Sequence, residues 1–194
     1  MAATYSLFVT TQYIKNNSPV IGYVADDELQ PFIRVAQETT IQKTIGTNLL
    51  RDLQNKVLNN SLNTAEVKLF EEYLQPATCW ATCYEYLLFS HYKFTNKGIN
   101  KQFSDGSVAA DLNEVNFVRD DVRNKMEYFK DRMYKHLLSF MTDFPLFYGG
   151  NILPENIVPS YNNYYSGIYT GSRRGRGSCP GEPRPGDWPT LDWN

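Results

Sequence analysis

Seven of the ten prolines and eight of the twelve glycines fall after Phe144. Proline locks φ, lacks an amide donor and clashes inside a helix, so residues 145–194 are barred from long helices and central strands. The residues before that point carry helical periodicity instead. This asymmetry predicts an all-α protein in two parts. A helical domain spans residues 1–144, and an extended docking arm rich in proline, glycine and aromatics spans residues 145–194. A chain of 194 residues is long enough for one domain with a substantial core.

Within the helical part, a short turn is expected after Thr10-Thr11, closed by Asn16-Asn17-Ser18-Pro19. Asp26, Asp27 and Glu28 then place three acids where a helix N-terminus favours negative charge. The apolar stripe that follows is Leu29, Phe32, Ile33, Ala36, Ile41 and Ile45, ended by Gly46. Pro31 must sit in the first turn or kink this helix. A second helix is expected over Thr47–Leu58, with Leu49, Leu50, Leu53 and Val57 on one side.

A third helix starts with Thr64 as its cap and runs toward Phe94, with Val67, Phe70, Leu74, Ala77, Tyr84 and Leu88 at helical spacing and Pro76 dividing it. Beyond Pro76 it is apolar nearly all round, so a bundle or a neighbouring subunit must cover it. Residues 96–107 read as a polar loop, and Asp111-x-x-Glu114 as a capping box. The fourth helix carries Leu112, Val115, Val118, Val122, Met126, Phe129, Met133, Leu137 and Phe140, every step being three or four. No run of alternating strand residues stands out. The expectation is a four-helix bundle in antiparallel pairs.

The arm differs from a disordered tail, because such tails are depleted in large apolar groups. Tyr161, Tyr164, Tyr165, Tyr169, Trp188 and Trp193 are expected to dock on a partner, together with Arg173, Arg174 and Arg176. Burying one such side chain contributes roughly 1.5–3 kcal/mol, and ordering one backbone residue costs roughly 1–2 kcal/mol. The arm therefore orders only against a waiting surface: its own domain, a sister subunit or another protein.

Chemistry is sparse. The net charge is −2, whereas a chain that grips phosphates is normally basic. Cys79, Cys83 and His91 fall on neighbouring turns of one helix, but zinc wants four ligands and no fourth is evident. They read as small buried apolar groups, and no metal or cofactor is expected. Neither His91 nor His136 sits in a nucleophile motif, and Gly149-Gly150 lacks the lysine of a phosphate loop. These absences point away from an enzyme. Residues 1–6 lack the basic and apolar runs of a signal peptide, and residues 76–94 are too interrupted to span a membrane. The Arg173-Arg174-Gly175-Arg176 run leaves open a second reading, a nucleic-acid-binding accessory protein.

Several blocks share an order and spacing with a known family. They are Asp27-Glu28-Leu29-x-Pro31-Phe32-Ile33-x-x-Ala36-Gln37, Ile45-Gly46-x-x-Leu49, Leu74-x-Pro76, Thr95-Asn96-Lys97-Gly98-Ile99 and Asp143-Phe144-Pro145. Over about residues 13–147 the chain resembles the head–tail connector, or adaptor, proteins of tailed bacteriophages, particularly those of crAss-like phages. The resemblance implies a virion structural subunit, assembled in the host cytoplasm into a ring, expected to be a dodecamer, beneath the portal protein. Such a ring extends the DNA channel, lets DNA pass without sequence-specific binding and receives the next neck or tail protein. It implies no catalytic residues, and an arm that reaches for the portal or a neighbouring subunit.

Overall fold

In a computed structural model, the described residues are 6–20, 24–95, 98–101, 112–149 and 156–160, with side chains over 6–20, 24–90, 114–149 and 156–160. The protein is mostly helical, and among the described residues no helix is long and apolar enough to cross a membrane. Helix α1 (Thr11–Asn17) is capped by Thr10, whose hydroxyl accepts from the Tyr13 amide at 3.1 Å.

Helix α2 (Asp26–Ala36) passes through a π-turn (Gln37–Ile41) into α3 (Gln42–Ile45). The π-turn explains the odd step in the apolar stripe. From Ala36 to Ile41 is five residues, which on a regular α-helix would rotate Ile41 about 140° off the buried face. One wide turn absorbs the excess, and Ala36, Ile41 and Ile45 are all buried. The same turn carries Gln37 into the core. Its side-chain oxygen accepts from the Phe8 amide at 3.0 Å and its nitrogen donates to the Ser6 carbonyl at 3.1 Å, pinning the N-terminal segment. Pro31 lies inside α2, past its first turn.

Gly46 separates α3 from α4 (Thr47–Leu58) with φ +83° and ψ 159°, a backbone region that is essentially glycine-only. The expected third helix exists as α5 (Thr64–Leu69), a second π-turn (Phe70–Leu74) and α6 (Gln75–His91). Its cap is Asn63 rather than Thr64. Asn63 accepts from the Glu66 amide at 2.8 Å, and Glu66 accepts from the Asn63 amide at 2.9 Å, a reciprocal capping box. Val67 is exposed, and the buried face is Leu69, Leu74 and Ala77, again with a five-residue step across the π-turn. The wide turn immediately before Pro76 relieves the clash its ring would make with a preceding carbonyl, so the proline is accommodated.

Two expectations fail in the next segment. The helix ends at His91, short of Phe94, and β1 (Tyr92–Thr95) pairs antiparallel with β2 (Gly98–Lys101), with Thr95 opposite Gly98. Four residues per strand are too few for alternation to stand out, yet Tyr92 and Phe94 alternate with Lys93 and Thr95 in a β-favouring run. Helix α7 (Leu112–Ser139) follows, and Asp111 of the expected capping box lies outside the described residues.

The main core joins Phe8, Ile41, Ile45, Leu49, Leu53, Leu69, Leu74, Met133, Leu137, Phe144 and Phe147. A second cluster gathers Val9, Ile14, Ile33, Cys79, Cys83 and Val122. Helix α6 is packed by α2, α7 and α1, so much of the cover that its apolar surface requires comes from within the chain. Thr78 and Thr82, buried on α6, donate to the Leu74 and Thr78 carbonyls one turn back, both at 2.8 Å.

Candidate docking surface

Helix α7 carries the two most exposed large apolar side chains among the described residues, Phe117 and Tyr128. Val115, Val122, Met126, Met133 and Leu137 face the core. Trp80 of α6 stacks on Phe129, Lys125 lies 5.3 Å from the Trp80 ring and Arg119 lies 4.4 Å from the Tyr84 ring, sealing the α6–α7 contact with cation–π pairs. The opposite face carries Phe117, 77% exposed, and Tyr128, 63% exposed. Val118 and Phe140, which helical spacing had assigned to the buried stripe, are exposed as well. Val118 sits on the flank of the stripe and Phe140 follows the last helical residue, Ser139, while Val115 and Leu137 near the same two ends stay buried.

Near its C-terminus α7 forms an open cleft with the second π-turn, lined by Tyr73, Tyr128, Arg132, Lys135, His136 and Phe140. The His136 ring stacks on Tyr73, with centroids 4.1 Å apart and planes at 17°, while Arg132 lies 4.7 Å from the Tyr73 ring. Burial, with Lys68 and Arg132 nearby, holds the His136 imidazolium below its usual pKa. Tyr134 and Tyr148 share a hydrogen bond at 2.5 Å, and burial together with that bond pushes Tyr134 up to about 12.

Past α7 the chain returns to its own helices. Phe144 and Phe147 enter the core, and residues 156–160 cross the α3–α4 junction as an extended strap. The Thr47 amide donates to the Ile157 carbonyl at 2.9 Å, the Ile157 amide donates to the Thr47 hydroxyl at 2.9 Å, and the Ser160 amide donates to the Lys43 carbonyl at 3.1 Å. The strap thus satisfies an N-terminal amide of α4 and a C-terminal carbonyl of α3. The compact unit runs Met1–Tyr161, so the stretch following Phe144, read from its prolines as part of the arm, begins as part of the helical unit.

The expected docking residues Tyr161, Tyr164, Tyr165, Tyr169, Arg173, Arg174, Arg176, Trp188 and Trp193 lie outside the described residues. Cys79 and Cys83 are buried free thiols on adjacent turns of α6; the hydrogen bond to Cys83 and burial both hold Cys79 well above the usual thiol range. The side chain of His91 lies outside the described residues, and among those described no group of three potential ligands could hold a metal ion. Helical spacing assigns Val118 and Phe140 to the buried stripe and gives Phe117, Tyr128, Tyr73 and Arg132 no role, so it misses the α7 face and the cleft.

These features define a mostly helical protein whose most distinctive described surface is an aromatic, charge-flanked helix face. Residues 41–151, more than half of the chain, match the family described as Family of unknown function (DUF6712), and the chain belongs to that family. No curated protein and no solved structure gives a match.

Proposed function

We propose that this protein is a non-enzymatic virion subunit, a four-helix connector-type bundle with a long irregular C-terminal arm. It assembles into a ring, a dodecamer on the strength of the resemblance, between portal and tail. There it extends the DNA channel, and the arm docks a neighbouring neck component. The observation that carries the reading is the outer face of α7, where Phe117 and Tyr128, 77% and 63% exposed, are the most exposed large apolar side chains among the described residues. Exposed apolar patches of this kind on soluble domains mark protein–protein contacts. The aromatic content of residues 161–194 supports a second contact through the arm. A net charge of −2 suits a channel through which DNA slides.

The test is electron microscopy of the purified chain, alone and mixed with a cognate portal. Closed rings, or portal decoration lost when residues 161–194 are deleted, are the expected result. The deletion begins at Tyr161 because residues 156–160 hold the α3–α4 junction. A monomer that ignores the portal would sink the reading.

A further inference from the structure

We propose that Phe117 and the acids around it form a plug that seats in the aromatic cleft at the far end of α7 in a second copy of this chain. The inference takes its head-to-tail sense from the ring reading above, and it names the contact that would build such a ring.

The plug is a single exposed aromatic set among carboxylates. Glu114, Asp120 and Asp121 stand three before, three after and four after Phe117, so they share its side of the helix. Asp120 and Asp121 are both exposed, and Asp121 pairs with Lys125 on the same helix. The cleft has the opposite character. Tyr73, Tyr128, His136 and Phe140 supply ring faces and edges, and Arg132 and Lys135 supply positive charge. Asp131 also lines it and is held by Lys135 at 2.6 Å, while the Arg132 guanidinium lies over the Tyr73 ring. An aromatic plug rimmed by acids matches an aromatic socket rimmed by bases in both shape class and charge.

The occupant is a second copy because one chain cannot fill its own socket. Phe117 and the cleft residues 132–136 lie on one continuous helix, roughly 25 Å apart at 1.5 Å per residue. Each chain therefore offers one plug and one socket at a fixed separation. A surface feature that fits a pocket elsewhere on the same molecule makes a heterologous contact, which closes into a ring when the rotation permits. The charged rim makes that contact sensitive to ionic strength.

The experiment is sedimentation velocity on the full chain over a range of concentrations and salt, with Phe117→Ser, Asp121→Lys and Lys135→Glu, each checked for native helicity by circular dichroism. All three positions are exposed, so folding should survive. Each substitution is expected to weaken self-association by about tenfold or more. An equimolar mixture of Asp121→Lys and Lys135→Glu chains should recover it, because each plug then meets a socket of opposite charge. Salt-sensitive assemblies larger than a dimer would support both the plug and the ring. Phe117-dependent association that stops at a dimer would support plug and socket while overturning the ring reading. Association unaffected by Phe117→Ser would overturn the plug and leave the ring reading standing, with its contact elsewhere, the arm included. A chain that stays monomeric throughout would overturn the plug.

Discussion

Replacing Gly46 by alanine tests whether the strap and the α3–α4 junction form one mechanical unit. Gly46 holds φ +83° and ψ 159°. A non-glycine residue there costs about 1–3 kcal/mol from backbone strain alone. A Cβ built on Gly46 would lie 2.7 Å from Pro159 Cδ, 2.9 Å from Pro159 Cγ and 3.3 Å from the Ile157 carbonyl oxygen. The ring must move, and with it the hydrogen bonds at Thr47 and Lys43, each contributing about 0.5–1.5 kcal/mol net. The expected loss is about 2–4 kcal/mol, since the strap can shift without losing every bond. Urea denaturation followed by circular dichroism measures it, and a cycle with Pro159→Ala separates the two causes. Trimming the ring should recover about 1 kcal/mol of the Gly46→Ala penalty, because the coupled atoms are then gone. A Gly46→Ala loss below about 0.5 kcal/mol would refute the backbone argument. A full loss without coupling would show that the strap does not rest on Gly46.

Gln37→Leu should lower stability by about 2–4 kcal/mol, because it leaves the Phe8 amide and the Ser6 carbonyl without their buried partner; faster hydrogen exchange at Phe8 would identify the N-terminal segment as the part released. Hydrogen bonds to Asp52 and then Glu66 raise the Lys56 pKa, so its contribution is complete below the unfolded value of about 10.4 and fades as pH rises through the folded value. Lys56→Met should therefore lower stability at neutral pH and flatten the alkaline limb of a stability–pH curve. His136 has the opposite sign. Its depressed folded pKa means that stability declines as pH falls below about 6.5 and levels off below the folded value. Titration of the imidazole by NMR, with the Tyr73 ring resonances as reporters, should place its midpoint below 6.5; a midpoint above that would contradict the burial argument.

Helices were legible where periodicity met clear punctuation. Thr47–Leu58 follows from Gly46 before it, Asn59-Asn60 after it and four apolar residues on one side, all of which are local facts. The long α7 follows in the same way from its three-and-four spacing. Even the π-turns left a trace, as five-residue steps from Ala36 to Ile41 and from Leu69 to Leu74. That trace has no unique meaning in sequence, because a break between two helices would leave the same step. The strap was not legible. Its proline read as arm, and only the positive φ of Gly46 and the open Thr47 amide, set by how α3 meets α4, create the place where Pro159 rests.

The α7 face and its cleft belong to the same class. Periodicity and punctuation along the chain determined that it is mostly helical. Which apolar residues are spent in the core is a different matter. Phe117, Phe129 and Phe140 are one residue type at similar spacing, yet Phe129 meets Trp80, Phe140 lies against His136 and Phe117 meets solvent. That depends on where α6 and the second π-turn lie along a helix longer than the core it covers. Packing between segments far apart in sequence decides it, and no local pattern records that distance.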